Sequence, residues 1–237
     1  MPGKKSINKM VLSVLALCMA LGFTAATVRA QESDGYLDLL SKNDKGLYSK
    51  HGWNHYGPGS FTLDRKSGVL TSHNGMGLFW YSARQFKDFV LELDFMCDAK
   101  ETNSGIFFRI PNMPASNDYI FECFEIQIYD ADLHKKDHVM HAGAAKMDPS
   151  MLHTTGAVYD AKAPDKKASL GPGKWNHYKI TCKGLNVVVE LNGEKVNDWM
   201  LKPMGKVATC WPKGYIGLQN HDATSSVHFR NLRIKEL

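Results

Sequence analysis

Nine consecutive residues, Phe89 to Cys97, alternate so regularly that one backbone suits them: Phe89, Leu91, Leu93, Phe95 and Cys97 are apolar, while Glu92 and Asp94 share the opposite side. Side chains two apart on an extended chain point the same way, whereas a helix would scatter this pattern around its axis. The stretch is a strand with one oily face. Any fold for this chain must cover that face with a second layer.

The same period recurs along the sequence. Phe61–Leu63, Val69–Thr71 and Gly77–Tyr81 read as short strands separated by the turn-forming stretches Asp64–Gly68 and His73–Gly75. Trp80 and Tyr81 are adjacent, so one faces inward and the other outward. Trp175–Cys182, Asn186–Leu191 and Glu194–Val196 form a meander whose second turn, Asn192-Gly193, is the strongest short hairpin signal. Tyr215–His221 and Val227–Ile234 close the chain, and the switch from odd apolar positions (Val227, Phe229) to even ones (Leu232, Ile234) predicts a bulge near Arg230. The segment Gln31–Ser60 has only a weak pattern, apart from Tyr36–Leu40, and reads as an entry stretch wrapping the rest. About a dozen short strands without an amphipathic helix predict an all-β, two-sheet antiparallel β-sandwich.

The first thirty residues stand apart. Lys4, Lys5 and Lys9 precede an apolar stretch from Val11 to Phe23, and Val28-Arg29-Ala30 offers a cleavage site, the layout of a secretory signal peptide. A lipoprotein anchor at Cys18 competes, but Leu17 is bulkier than such sites accept, so cleavage after Ala30 is expected, with a periplasmic or secreted product. Residues 31–237 then form a single domain, within the usual size of all-β domains. The leader holds four of the 29 basic residues and no acidic one, leaving 25 against 24 acidic. That balance gives no nucleic-acid surface, and the apolar run is too short for stable membrane insertion. Cys97, Cys123, Cys182 and Cys210 match no zinc spacing. The parity of Cys97 and Cys182 marks them as small core residues.

Two central strands, Ile106–Ile110 and Phe121–Tyr129, each carry charge on an otherwise apolar run. Parity separates Ile106, Phe108 and Ile110 from Phe107 and Arg109, and Phe124, Ile126 and Ile128 from Glu125, Gln127 and Tyr129. A solvated sheet face accounts for such alternation. An arginine, a carboxylate, an amide and a phenol beside aromatic rings also form a hydrogen-bonding set suited to a polyhydroxylated ligand. These strands are therefore expected to floor a sugar-binding cleft. Glu92 and Asp94, two apart, would lie about 7 Å from each other, a spacing at which glycosidases place an acid and a base. His134, His138 and His141 have a spacing that on a helix would suit a divalent metal, but Asp130-Ala131-Asp132, Gly143 and Pro149 favour a loop, and no metal ligands are assigned.

Eight blocks in order resemble the 3-keto-disaccharide hydrolase family: Leu78–Tyr81, Phe86–Phe89, Asn103–Arg109, Glu125–Ile128, Thr155–Tyr159, Gly173–Asn176, Leu191–Gly193 and Ile216–His221. The resemblance runs from about Tyr36 to the C-terminus. It implies a concanavalin A-like jelly roll, exported by bacteria, that cleaves glycosides already oxidised at C3. The His- and Lys-rich stretch Ala131–His153 departs from the family pattern and bears on the aglycone. A C3 ketone acidifies the C2 proton; its removal gives an enolate that expels the C1 substituent, and water is then added back. Such chemistry needs a base and a donor at the developing oxyanion. On this reading Glu125 or His221 is the base, Arg109 stabilises the enolate, Asn103, Gln127, Tyr159 and Gln219 bind hydroxyls, and Asp94 orients a partner. The competing readings are a two-carboxylate glycosidase using Glu92 and Asp94, a non-catalytic carbohydrate-binding module, and a structural or protein-binding envelope domain. Convergence of Arg109, Glu125 and His221 on one cavity would separate the first reading from the rest.

Overall fold

The computed structural model describes residues 34–130, 149–205 and 209–237. The expected leader and the His134, His138 and His141 triplet lie outside the described residues. The strands are β1 (Leu37–Asp38), β2 (Trp53–Tyr56), β3 (Ser60–Asp64), β4 (Val69–His73), β5 (Gly77–Phe86), β6 (Phe89–Cys97), β7 (Ser104–Ile110), β8 (Phe124–Ile128), β9 (Asn176–Lys183), β10 (Asn186–Leu191), β11 (Glu194–Met200), β12 (Gly214–Asn220) and β13 (Val227–Glu236). Eight of them form one antiparallel sheet in the order β11-β10-β9-β6-β13-β4-β3, with β1 paired to β13. The other five form a second antiparallel sheet in the order β2-β5-β12-β7-β8. The all-β, two-sheet expectation holds.

The core lies between the sheets and is built from the faces that parity assigned to it. Leu91, Leu93, Phe95, Tyr178, Ile180 and Phe229 come from the larger sheet and Ile106, Phe108, Phe124, Ile126 and Ile128 from the smaller. Tyr178 ties the two layers: it stacks on Phe95 at 4.8 Å and donates its hydroxyl across the core to the carbonyl of Gln127, 2.7 Å away. A buried phenol without that acceptor would cost about 1–3 kcal/mol, so the bond also fixes the position of β8. Cys97 and Cys182 are buried free thiols, as their parity implied.

Local signals are borne out where they rested on turn chemistry. Asn192 and Gly193 both have positive φ, 54° and 82°, as a two-residue hairpin turn requires. In β13 the register slips between Arg230 and Arg233, and Asn231 takes φ 55°, which is the expected bulge. Trp80 and Tyr81 do point to opposite faces. Trp80 is packed in a small outer cluster with Leu78, Phe107, Ile110, Tyr119 and Cys123, and Tyr81 lies against the central core.

Three expectations need correction. The segment Gln31–Ser60 contributes β1 and β2 rather than merely wrapping the sandwich. The run Phe121–Tyr129 is not one strand: a helical turn, α1 (Tyr119–Glu122), precedes it and pairing begins only at Phe124. The third concerns Arg109. Tyr215 of β12 faces Ile110 and Ile216 faces Phe108, so Arg109 has no partner on that strand and bulges at φ 58°. One extra residue inverts parity beyond it. Ile110 accordingly joins Phe107 on the outer face. A side chain at Gly214 would collide with the Arg109 backbone, so the bulge depends on that glycine.

Candidate functional site

The outer face of the five-stranded sheet carries the site. Gln219 pairs with Leu78, Gly105 pairs with Gln127, and Leu218 opposite Ile106 sets Gln219 beside Gly105, so these residues form one row across the surface. Gly105 leaves a hollow there. A side chain at that position would occupy the space taken by the Glu125 carboxylate, which folds over it from the next strand. The exposed edge of β8 is completed by the segment around Val158: Tyr159 donates its amide to the Glu125 carbonyl at 2.9 Å, and Gln127 donates to Ala157 at 3.0 Å. This added edge sets Tyr159 beside Glu125. Asn197 holds the segment from behind through the carbonyls of Gly156, Lys162 and Ala163.

A cavity of about 250 Å³ opens on this surface, lined by Met76, Asn103, Ile120, Phe121, Glu125, Gln127, Tyr159, Gln219 and His221. Its volume is slightly below the usual range for ligand sites, room for about one sugar ring, and its polar groups converge. Glu125, Gln127 and Gln219 are nearly inaccessible, with only 2%, 1% and 7% of their surface exposed. Gln127 reaches the Asn103 side chain at 3.4 Å. The Gln219 Oε1 and the Tyr119 hydroxyl are buried with no hydrogen-bond partner among the described residues. Burial and then the negative charge of Glu125 push up the phenols of both Tyr119 and Tyr159, the latter to about 12. Tyr159 therefore stays a neutral donor through the physiological range.

His221 has a partner that the sequence reading did not name. Its Nδ1 lies 2.7 Å from Oδ2 of Asp222. That carboxylate also accepts from the Thr224 amide and hydroxyl, both 2.7 Å away, and from the Ser225 amide and hydroxyl at 2.8 and 3.0 Å. Burial opposes the charge of Asp222, but the bonds from His221, Thr224 and Ser225 outweigh it and hold the acid well below the usual carboxylate range. A permanently ionised Asp222 fixes the ring orientation of His221. The Ser225 hydroxyl also accepts the backbone N–H of Asn103 at 3.0 Å, leaving the Asn103 side-chain amide facing the cavity, so one turn positions both cavity residues. The signal was present in the sequence: Asp222-Ala223-Thr224-Ser225 is a composition that hydrogen-bonds its own backbone.

Of the residues expected at the site, Glu125, His221, Asn103, Gln127, Tyr159 and Gln219 share this cavity. Arg109 and Asp94 do not line it, so of the three groups expected to converge there, Arg109, Glu125 and His221, only the last two meet. Arg109, only 2% exposed, passes between the sheets, where Nη2 donates to the carbonyls of Gly184 and, at 3.3 Å, Lys87, with the Asp88 carboxylate 3.8 Å away. The bulge is the reason: it rotates Arg109 off the cavity face. Asp94 lies on the outer face of the other sheet, bonded to His177 at 2.9 Å, Arg230 at 3.1 Å and Asn231 at 2.8 Å.

Glu92 on that same face accepts from Tyr36 at 2.7 Å and Arg233 at 3.0 Å. Burial works against both carboxylates, but their partners hold Glu92 and Asp94 below the ordinary range. That direction is opposite to the raised carboxyl that a two-carboxylate hydrolysis uses as its general acid near neutral pH. Among the described residues no cluster of three or more His, Cys, Asp or Glu could hold a metal ion. Also among them, no helix is long and apolar enough to cross a membrane.

Residues 41–235, most of the chain, match the family described as the 3-keto-alpha-glucoside-1,2-lyase-like domain. The chain belongs to this family. Two solved structures from Parabacteroides distasonis, each described as a "putative glycosyl hydrolase", share the family's fold. One is 27% identical with a TM-score of 0.65, covering 85% of this chain and 99% of the other. The second is 21% identical with a TM-score of 0.67, covering 88% and 99%. The carbohydrate-binding module CBM66 from Bacillus subtilis, 15% identical, aligns with a TM-score of 0.50 over 78% of this chain and 96% of its own. No curated protein matches. Family membership thus makes the chain a glycosyl hydrolase-like, carbohydrate-directed protein on a jelly-roll sandwich.

Proposed function

We propose that the protein cleaves 3-keto-glycosides by elimination and rehydration at the cavity of Glu125 and His221. The observation that carries this reading is that a buried carboxylate and an Asp222-oriented imidazole open onto the same small recess, ringed by amides and a phenol. Glu125 takes the C2 proton, and the electron pair moves into the C2–C3 bond while the ketone oxygen becomes an enolate. The Tyr159 hydroxyl and the side-chain NH2 of Asn103 donate to that oxygen, the part that Arg109 is too remote to play. The enolate collapses, the C1–oxygen bond breaks, and protonated His221 supplies a proton to the departing oxygen. Neutral His221 then takes a proton from water as it adds to C1, and Glu125 returns its proton to C2. Atoms and charge balance, and the net reaction is hydrolysis. Gln127 and Gln219 hold ring hydroxyls. The charged, apolar and small-residue order of residues 1–30 further leads us to place this activity outside the cytoplasm.

The test is release of the C1 substituent from 3-keto-glucosides and from their unoxidised parents. Wild-type protein should act on the ketones alone and exchange the C2 hydrogen with deuterium from solvent. Asp222→Asn should lower kcat at least tenfold, because the imidazole loses the carboxylate that fixes its orientation. Saturable binding of 3-keto-glucosides with neither cleavage nor exchange would establish the binding-module reading instead.

A further inference from the structure

The cavity is two-sided. Its floor is built of hydrogen-bonding groups, but one wall is Phe121 and Ile120 of α1 together with Met76, which immediately precedes β5. Phe121 is 57% and Met76 37% exposed. Tyr119, two residues before Phe121, is 2% exposed and packs edge-on against Phe107 at 5.3 Å and Tyr56 at 6.3 Å. The helical turn is therefore anchored by one aromatic side chain and carries a second at the cavity mouth. An exposed phenyl and thioether lining one cavity forgo the burial that stabilises such groups elsewhere, and are available to an apolar ligand there. The wall side chains offer no hydrogen bond, so the hydroxyls of a second sugar would lose water there without a partner.

We propose that Phe121, Ile120 and Met76 form the leaving-group subsite and that it favours an aromatic aglycone over a second sugar. This rests on the proposed function. The oxidised ring sits among Glu125, Gln127 and Gln219, and the substituent leaving C1 lies against the apolar wall. An aryl ring stacks on Phe121 and meets the sulfur of Met76, contacts that both side chains favour.

The test compares benzyl, methyl and glucosyl 3-keto-glucosides. The benzyl and methyl compounds expel alkoxides of similar basicity, so their difference reports the subsite rather than the bond broken. For wild type, kcat/KM should be highest for the benzyl compound. In Phe121→Ala the ratio of benzyl to methyl kcat/KM should fall at least tenfold, chiefly through KM, and Met76→Ala should move it the same way by a smaller factor. Thermal melts confirm that both exposed-site variants fold. An unchanged ratio, or a loss for the disaccharide as large as for the benzyl compound, overturns the aromatic assignment while leaving the proposed function standing. If wild type cleaves none of the three, the proposed function has failed and the subsite assignment falls with it.

Discussion

The two outer faces of the sandwich use similar residues to opposite ends. On the eight-stranded sheet Glu92 and Asp94 are matched by Tyr36, Arg233, His177, Arg230 and Asn231, and the guanidinium of Arg230 also lies 3.9 Å from the centre of the Trp175 ring. On the five-stranded sheet Glu125 lines a cavity whose Gln219 Oε1 is buried without a hydrogen bond among the described residues. A saturated network has nothing left to offer a ligand. Buried polar atoms that lack partners cost stability, and a chain that carries them at a cavity has them available for a substrate. Two carboxylates at suggestive spacing are therefore a weaker sign of chemistry than one carboxylate sharing a cavity with an unspent acceptor, the Gln219 Oε1.

The largest effect that would sharpen this contrast is a paired substitution. Glu125→Gln should reduce 3-keto-glycoside turnover at least a hundredfold, the usual scale for a lost general base. Its melting temperature should stay near wild type. Asp94→Asn should do the reverse, with turnover within about threefold and a lower melting temperature; kinetics and melts on the same preparations decide. If Asp94→Asn proved as damaging to catalysis as Glu125→Gln, the separation of the two faces would be wrong.

Next comes Arg109, which the bulge converts from a site candidate into a strut. Arg109→Ala leaves the Lys87 and Gly184 carbonyls without their buried donor, at about 1–3 kcal/mol for each such group. Denaturant titration should show that loss. Turnover measured well below the melting point should fall only a few-fold, in contrast to a direct enolate stabiliser.

The smallest effect is the pH dependence of stability on the saturated face. The depressed Glu92 and Asp94 contribute stability above the ordinary carboxylate range, which is lost as pH falls through their lower folded values. His177 is raised chiefly by its bond with Asp94; its contribution is complete below the ordinary imidazole value and is lost as pH rises through the raised one. The melting temperature should peak between these limits, at about pH 5–6. Asp94→Asn should flatten both flanks by a few degrees. A curve unchanged in the variant would show that the network contributes nothing.

Much of the site was legible in strand parity. Glu125 and Gln127 are two apart on β8, and Gln219 and His221 are two apart at the end of β12, so each pair was bound to share a side. Parity failed at Arg109 because it assumes one residue per step, and a bulge adds a step that only the facing strand reveals. It was silent on Asp222, whose role arises from a turn outside the strands. Phe121 was misread for a different reason: its apolar run has strand composition, and only Tyr119 packing on Phe107 explains why α1 precedes β8.

By itself the sequence determined the class of fold, the sides on which most groups emerge, the hairpin at Asn192-Gly193 and the bulge in β13, because these depend on backbone geometry over a few residues. The tertiary structure alone decided that Glu125, Gln127, Gln219 and His221 open onto one cavity while Glu92 and Asp94 are tied up in ion pairs. It also decided that Arg109 is held between the sheets, away from the cavity, and that Met76, distant in the chain, stands at the same mouth as Phe121. Those outcomes turn on how strands from separate parts of the chain are paired and how the two sheets are stacked, and no short-range period encodes that register.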